Sequence, residues 1–185
     1  MVRNYRNLFL QQSYNDAMAL YRDILSREKA GTSEYQLPVW DYVILSASND
    51  IQALSYQQQI DARLKDGRLP SCTKYAVIPD PGGKRVGSGG ATLNALRYIV
   101  NSGAADTRED NIAANSGAAA TREDNIAADD LSKLKILIIH SGGDAKRSPQ
   151  YSACGKVFSP IPHVLADGHR STLFDEMMIA MCGIP

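Results

Sequence analysis

Two stretches of the chain hold residues whose types and spacing suit phosphate chemistry. The first runs Ile136-Leu137-Ile138-Ile139-His140-Ser141-Gly142-Gly143-Asp144-Ala145-Lys146-Arg147, with Gly155-Lys156 a little further on. A branched apolar run reads as a strand buried on both faces. The glycine pair lets the backbone turn and approach a ligand closely. Lys146, Arg147 and Lys156 then supply cations, an arrangement suited to phosphates at the carboxyl end of a parallel strand. The second stretch, Asp80 to Thr92, carries Gly82, Gly83, Gly87, Gly89 and Gly90. So little side chain leaves backbone amides to face an anion, or leaves the loop a plain linker. A helix after it would aim its amino end, where the dipole favours negative charge, at the glycines.

Several other chemistries are excluded by pattern. Gly82 and Gly87 have Walker A spacing, but Ser88 stands where its lysine belongs. GxGxxG fails because Thr92 replaces the third glycine. His140, His163 and His169 form no HxxxH or HExxH pair, and Cys72, Cys154 and Cys182 no CxxC, which disfavours a protein-built zinc site. The three cysteines are expected to be reduced, as small buried hydrophobes in a cytoplasmic setting. No Ser-His-Asp or Cys-His motif points to a hydrolase.

The chain has 185 residues and a formal net charge of zero, enough for one domain and without the basic surplus that nucleic-acid or membrane binding needs. No apolar run reaches transmembrane length, and Met1 to Asn15 contains no signal-peptide h-region.

The elements that must position these stretches follow from periodicity. A first helix is expected from about Leu10 to Lys29, within an N-terminal unit of residues 1–35; its stripe is Leu10, Tyr14, Ala17, Met18, Tyr21 and Leu25, and Gly31 closes it. Trp40 to Ala47 reads as a strand. Ser48 or Asn49 caps a helix to about Lys65 with Ala53, Tyr56, Ile60 and Leu64 on one side. Lys74 to Ile78 is a second strand ended by Pro79. After the glycine segment a helix should carry Leu93, Leu96 and Ile99 or Val100 on its packed side. Residues 101–114 and 115–128 repeat one fourteen-residue word, differing only at Asp106 and Ala120. Two copies make no solenoid, and 101–130 reads as a duplicated surface loop. Beyond Arg147 an irregular segment reaches His169. Thr172 to Asp175 fits a capping box for a helix with Leu173, Met177 and Met181 on its stripe. Strands alternating with helices imply an α/β fold with an open, doubly wound, mostly parallel sheet. Three strands leave an open edge, so more strands are expected than the chain holds.

Both stretches resemble one family. Asp80-Pro81 with Arg85-Val86-Gly87-Ser88-Gly89-Gly90-Ala91-Thr92-Leu93-Asn94-Ala95-Leu96 is similar to the glycine-rich segment of L-fucokinase/GDP-L-fucose pyrophosphorylase proteins. His140 to Asp144, Lys146-Arg147, Ser152-Ala153, Gly155 to Phe158, Pro160 and Ser171 to Glu176 resemble their later segments. More distantly, the second loop resembles the Gly-Gly-x-x-x-Arg…Lys pattern of sugar-nucleotide pyrophosphorylases, matched by Gly142, Gly143, Arg147 and Lys156. Asp144 and Lys146 depart from its small residues.

The resemblance implies a partial, Rossmann-like (GT-A-like) nucleotidyltransferase domain over 1–185, with later strands and a sugar kinase domain absent. It implies transfer of a guanylyl group from GTP to L-fucose 1-phosphate, releasing pyrophosphate, in cytoplasmic fucose salvage. Gly87, Ser88, Gly89, Gly90, Thr92, Gly142 and Gly143 would hold nucleotide. Arg147 would meet the leaving pyrophosphate, assisted by Lys146, and Lys156 the α-phosphate or the sugar phosphate. Mg2+ would bridge phosphates, with Asp144 the candidate carboxylate. Three alternatives stay open: a non-catalytic nucleotide-binding module, a transferase for another sugar 1-phosphate, and a sugar kinase proper.

Overall fold

The computed structural model describes residues 2–31, 38–103, 131–142, 155–165 and 167–185. Its centre is β1 (Tyr42–Ala47), all six residues of which are buried. Strand β2 (Lys74–Pro79) pairs with one edge and β3 (Ile136–His140) with the other, both parallel, in the order β2-β1-β3. Alternation sends successive β1 side chains to opposite faces. Val43, Leu45 and Ala47 join Leu137 and Ile139 beneath helix α2 (Asp50–Lys65), through its Ala53, Tyr56 and Ile60. Tyr42, Ile44 and Ala76 join Ala95 and Ile99 of helix α3 (Gly87–Gly103) on the other face. Helices on both faces explain why the strands read as continuous apolar runs.

Helix α1 (Val2–Lys29) packs Tyr21 and Ile24 into the first core, with Tyr14, Ala17, Met18 and Leu25 against it. Gly31 donates its N–H to Glu28 O at the exit, as expected. Asn49 caps α2 by accepting the Gln52 N–H at 2.9 Å. The last helix, α4 (Leu173–Met181), carries the expected capping box between Thr172 and Asp175 and buries Phe174, Met178 and Ile179. Among the described residues, no helix is long and apolar enough to cross a membrane.

Several expectations need correction. Leu10 is 54% exposed, because the packed stripe of α1 begins at Tyr14. Helix α3 opens at Gly87, so Gly87 to Thr92 belong to the helix and not to the loop before it. Its packed side is Ala91, Ala95 and Ile99, and Leu93 is 69% exposed. Residues two apart do not share a helix face, and the small alanines bring the axis close to the sheet. Residues 101–103, assigned to the duplicated loop, form the last turn of α3; residues 104–130 lie outside the described residues. The segment read as irregular holds a 3-10 turn at Lys156–Phe158 and an antiparallel pair, β4 (Pro160–Val164) and β5 (Arg170–Thr172), with an irregular register. Pro160 and Pro162 lack the donors a regular ladder uses, which hides the strand in the sequence. On α4 the inner face is Phe174, Met178 and Ile179, with Leu173 exposed. Cys182 is buried, but Cys72 is exposed; Cys154 lies outside the described residues.

Candidate active site

The order β2-β1-β3 places a switch point between β1 and β3, because the chain runs outward from β1 to β2 and then crosses back to β3 on the far side. Crevices at the carboxyl ends of such strands receive ligands in open α/β sheets. A cavity of about 260 Å³ lies there, lined by Ser46, Asp80, Arg85, Gly87, Ser88, Ala91, His140 and Gly142. It therefore draws on the ends of all three strands and on the first turn of α3.

Close approach of two backbones shapes one wall. Ser141 donates its N–H to Ser46 Oγ at 3.2 Å and its hydroxyl to Ser46 O at 2.7 Å. Gly142 donates to Ser46 Oγ at 3.5 Å. A Cβ on Gly142 would stand 3.3 Å from Ala47 C and Ser48 N, a tight contact that glycine avoids where the loop after β3 lies against the loop after β1.

The opposite wall is the amino end of α3. Gly87 has φ of +72°, a conformation that side-chain-bearing residues rarely adopt. The amides of Gly87, Ser88 and Gly89 have no partner four residues back, as in any first helical turn. Gly90 meets a steric demand, since a Cβ there would stand 2.6 Å from Val86 Cβ. Thr92 donates its hydroxyl to Ser88 O at 3.0 Å and lies 3.3 Å from His140 Nε2. With the Thr92 proton on Ser88 O, His140 Nε2–H serves as donor in that second contact. The imidazole thus links the end of β3 to the first turn of α3.

Tyr56, fully buried on α2, braces the second loop from below. Its hydroxyl donates to Ser141 O at 3.3 Å, and burial pushes its pKa up to about 12, so the donor proton is retained at neutral pH. Phe158 meets the ring edge-on at 5.3 Å. Gly155, at φ +72°, lies so close that any Cβ would collide with the phenol. Lys156 follows it at the start of the 3-10 turn, exposed, and does not line the cavity.

The residues expected from sequence are thus partly assembled. Gly87, Ser88 and Gly142 share one cavity, with Gly89, Gly90 and Thr92 in the adjoining turns of α3. Gly143, Asp144, Lys146 and Arg147 lie outside the described residues. Among the described residues no group of three or more His, Cys, Asp or Glu could hold a metal ion, and Asp80 is the carboxylate on the cavity wall. Sequence reasoning did not assign roles to Ser46, Asp80, Arg85, His140 or Tyr56. Ser46 left a signal, as the hydroxyl that interrupts the apolar run of β1. A larger cavity, of about 340 Å³, lies between α1, the turn after α2 and α4, and none of the motif residues lines it.

Comparison with known proteins identifies relatives of the chain. Residues 128–185, which span β3 to α4, match the family model described as the fucose pyrophosphorylase domain. The bifunctional fucokinase/GDP-fucose pyrophosphorylase of Arabidopsis thaliana is 37% identical over 151 residues, 80% of this chain and 14% of that protein. The fucose-1-phosphate guanylyltransferases of Mus musculus and Homo sapiens are 34% and 33% identical over 123 residues, 66% of this chain and 17% and 16% of theirs. The chain therefore spans less than a fifth of the length of these relatives. No solved structure matches. Over the segment that it spans, the chain belongs to the fucose pyrophosphorylase family.

Proposed function

We propose that the chain is the nucleotide-gripping part of a fucose-1-phosphate guanylyltransferase, transferring a guanylyl group from GTP to L-fucose 1-phosphate with release of pyrophosphate. One observation carries the reading: the amide end of α3 and the Gly142 loop face a single cavity at the carboxyl ends of parallel strands. The sheet would be the opening half of a Rossmann-like, GT-A-like nucleotidyltransferase, working in cytoplasmic fucose salvage. Further strands and a fucokinase domain, fused in relatives of the bifunctional type, would complete it.

The sugar phosphate oxygen attacks the α-phosphorus in line, and pyrophosphate leaves. Such transfer asks for positioning and charge neutralisation more than for a covalent intermediate. The free amides of Gly87, Ser88 and Gly89 would hold phosphate oxygens, helped by the helix dipole. Arg147 would make paired bonds to the departing pyrophosphate with its planar fork, and Lys146 would assist. Lys156 would approach the α-phosphate or the sugar phosphate from the turn held against Tyr56. Bound Mg2+ would neutralise phosphate charge, keeping mostly water and phosphate ligands, with Asp80 or Asp144 as its carboxylate.

The test is pyrophosphate release from GTP and L-fucose 1-phosphate, with GTP binding followed in parallel by calorimetry. Losing one preorganised donor costs about 3–4 kcal/mol of transition-state stabilisation. Arg147→Ala should therefore lower turnover by roughly a hundredfold or more, and a fall of less than about tenfold removes the role given to it. Binding without release would identify a nucleotide-binding module. Neither binding nor release would overturn the reading.

A further inference from the structure

The cavity between α1, the turn after α2 and α4 has an apolar part lined by Met18, Tyr21, Leu25, Leu165 and Ile179, and a charged rim. At about 340 Å³ it falls within the usual size of small-molecule sites. Its charged residues are unequally satisfied. Each carboxylate has a partner: Asp66 accepts from Arg68 Nη2 at 3.0 Å, Asp167 from the His169 N–H at 3.0 Å, and Asp175 from Arg63. The cations are not matched in this way. Arg22 and Lys29 have no hydrogen-bond or ion-pair partner among the described residues, and they stand seven residues apart on the same side of α1. The Lys29 ammonium rests against the cavity wall, 3.1 Å from where a Gly67 Cβ would be.

We infer that this cavity binds a small organic anion with an apolar body and a single carboxylate, sulfonate or phosphate group. The body fills the space between Tyr21, Leu25 and Ile179, and the anionic group meets Lys29 and Arg22. An apolar surface with two cations lacking partners among the described residues at its edge favours this class over neutral apolar molecules and over dianions lacking a body. The site is separate from the strand-end cavity and does not depend on the guanylyl reading.

The probe is 8-anilino-1-naphthalenesulfonate, titrated by fluorescence and calorimetry against the whole chain. Saturable one-to-one binding is expected. N-phenyl-1-naphthylamine, the same aryl body without the sulfonate, should bind at least tenfold more weakly. Arg22→Gln with Lys29→Gln should weaken the sulfonate at least fivefold while leaving the thermal midpoint in place. Leu25→Trp, which fills the cavity, should abolish binding, and it serves as the independent variant if the double change fails to fold. Excess GTP should not displace the dye. Unsaturable binding, equal affinity for the neutral analogue, full binding to Leu25→Trp, or displacement by GTP would each overturn the inference.

Discussion

Arg63 shows how one residue organises a core that its sequence surroundings conceal. It lies on α2 between Ile60 and Leu64, where the period calls for an apolar side chain. Its guanidinium is almost fully buried and spends its donors on Asp175 Oδ1 and Oδ2 at 2.7 and 3.2 Å, Gln59 O at 2.9 Å and Thr172 Oγ1 at 3.2 Å. Phe158 and Phe174 cover its faces at 5.0 and 5.8 Å. Burial alone pushes the Asp175 carboxyl up, but hydrogen bonds from Arg63 and Thr172 outweigh it and hold the pKa below the usual range. Glu176 follows the same logic: burial raises it, and bonds from Ser171 and His163 lower it further. Removing one partner of a buried pair leaves an uncompensated charge and costs about 3–5 kcal/mol. Arg63→Met should therefore lower the thermal midpoint by roughly 6–20 °C. A carboxyl depressed in the folded state stabilises above its unfolded pKa, and that contribution is lost as pH falls through the folded value. The gap between wild type and Arg63→Met should accordingly be full at neutral pH and shrink below about pH 4. A gap that stays constant from pH 7 to pH 3 would show that charge has no part in it.

At the scale of elements, the sequence was legible where burial is periodic and illegible where distant contacts decide. Three strands announce themselves because both of their faces are covered. Gly87 to Gly90 read as loop because glycine is a poor helix former, at about 1 kcal/mol per residue relative to alanine. Burial of Ala91, Ala95 and Ile99 against the sheet overrides that preference. Pro160 and Pro162 hid β4 for the opposite reason, by removing donors a strand ordinarily shows. In the site, the glycine turns were visible as motifs. The bonds that set them in place join residues far apart in the chain: Ser46 to Ser141, Tyr56 to Ser141, Thr92 to His140. Tyr56 is the most testable of these, since one ring holds the carbonyl before Gly142 and packs against Gly155 before Lys156. Tyr56→Phe keeps the packing and gives up a single hydrogen bond, worth about 0.5–1.5 kcal/mol. Stability should change little, while turnover in pyrophosphate release should fall more than the KM for GTP rises. Gly155→Ala meets both a positive φ and the phenol, so it should unfold the protein at markedly lower temperature. Equal kinetics for Tyr56→Phe and wild type would remove the positioning role.

For the whole molecule, the sheet separates two functions of its helices. Helices α1, α2 and α4 build the larger core on one face, whereas α3 packs on the other, with Leu131 and Leu134 beside it, and directs its amino end toward the strand ends. A ligand filling that cavity would touch the ends of β1, β2 and β3 and the first turn of α3 together, so binding should stabilise the fold as a unit. Occupancy at one hundred times Kd adds about 2.7 kcal/mol. For a chain of this size that corresponds to a rise of roughly 5–11 °C in the thermal midpoint with GTP and Mg2+. Ser88→Glu separates this effect from helix stability. Ser88 is exposed in the first turn of α3, where a carboxylate interacts favourably with the helix dipole by about 0.3–1 kcal/mol. The ligand-free midpoint should therefore hold steady or rise slightly. The same carboxylate projects toward the cavity that Ser88 lines and opposes a triphosphate there, so the GTP-induced rise should largely vanish. Ser88→Ala, which leaves the amides in place, should keep most of it. A Ser88→Glu protein that retains the full GTP shift would place the nucleotide somewhere other than the amino end of α3.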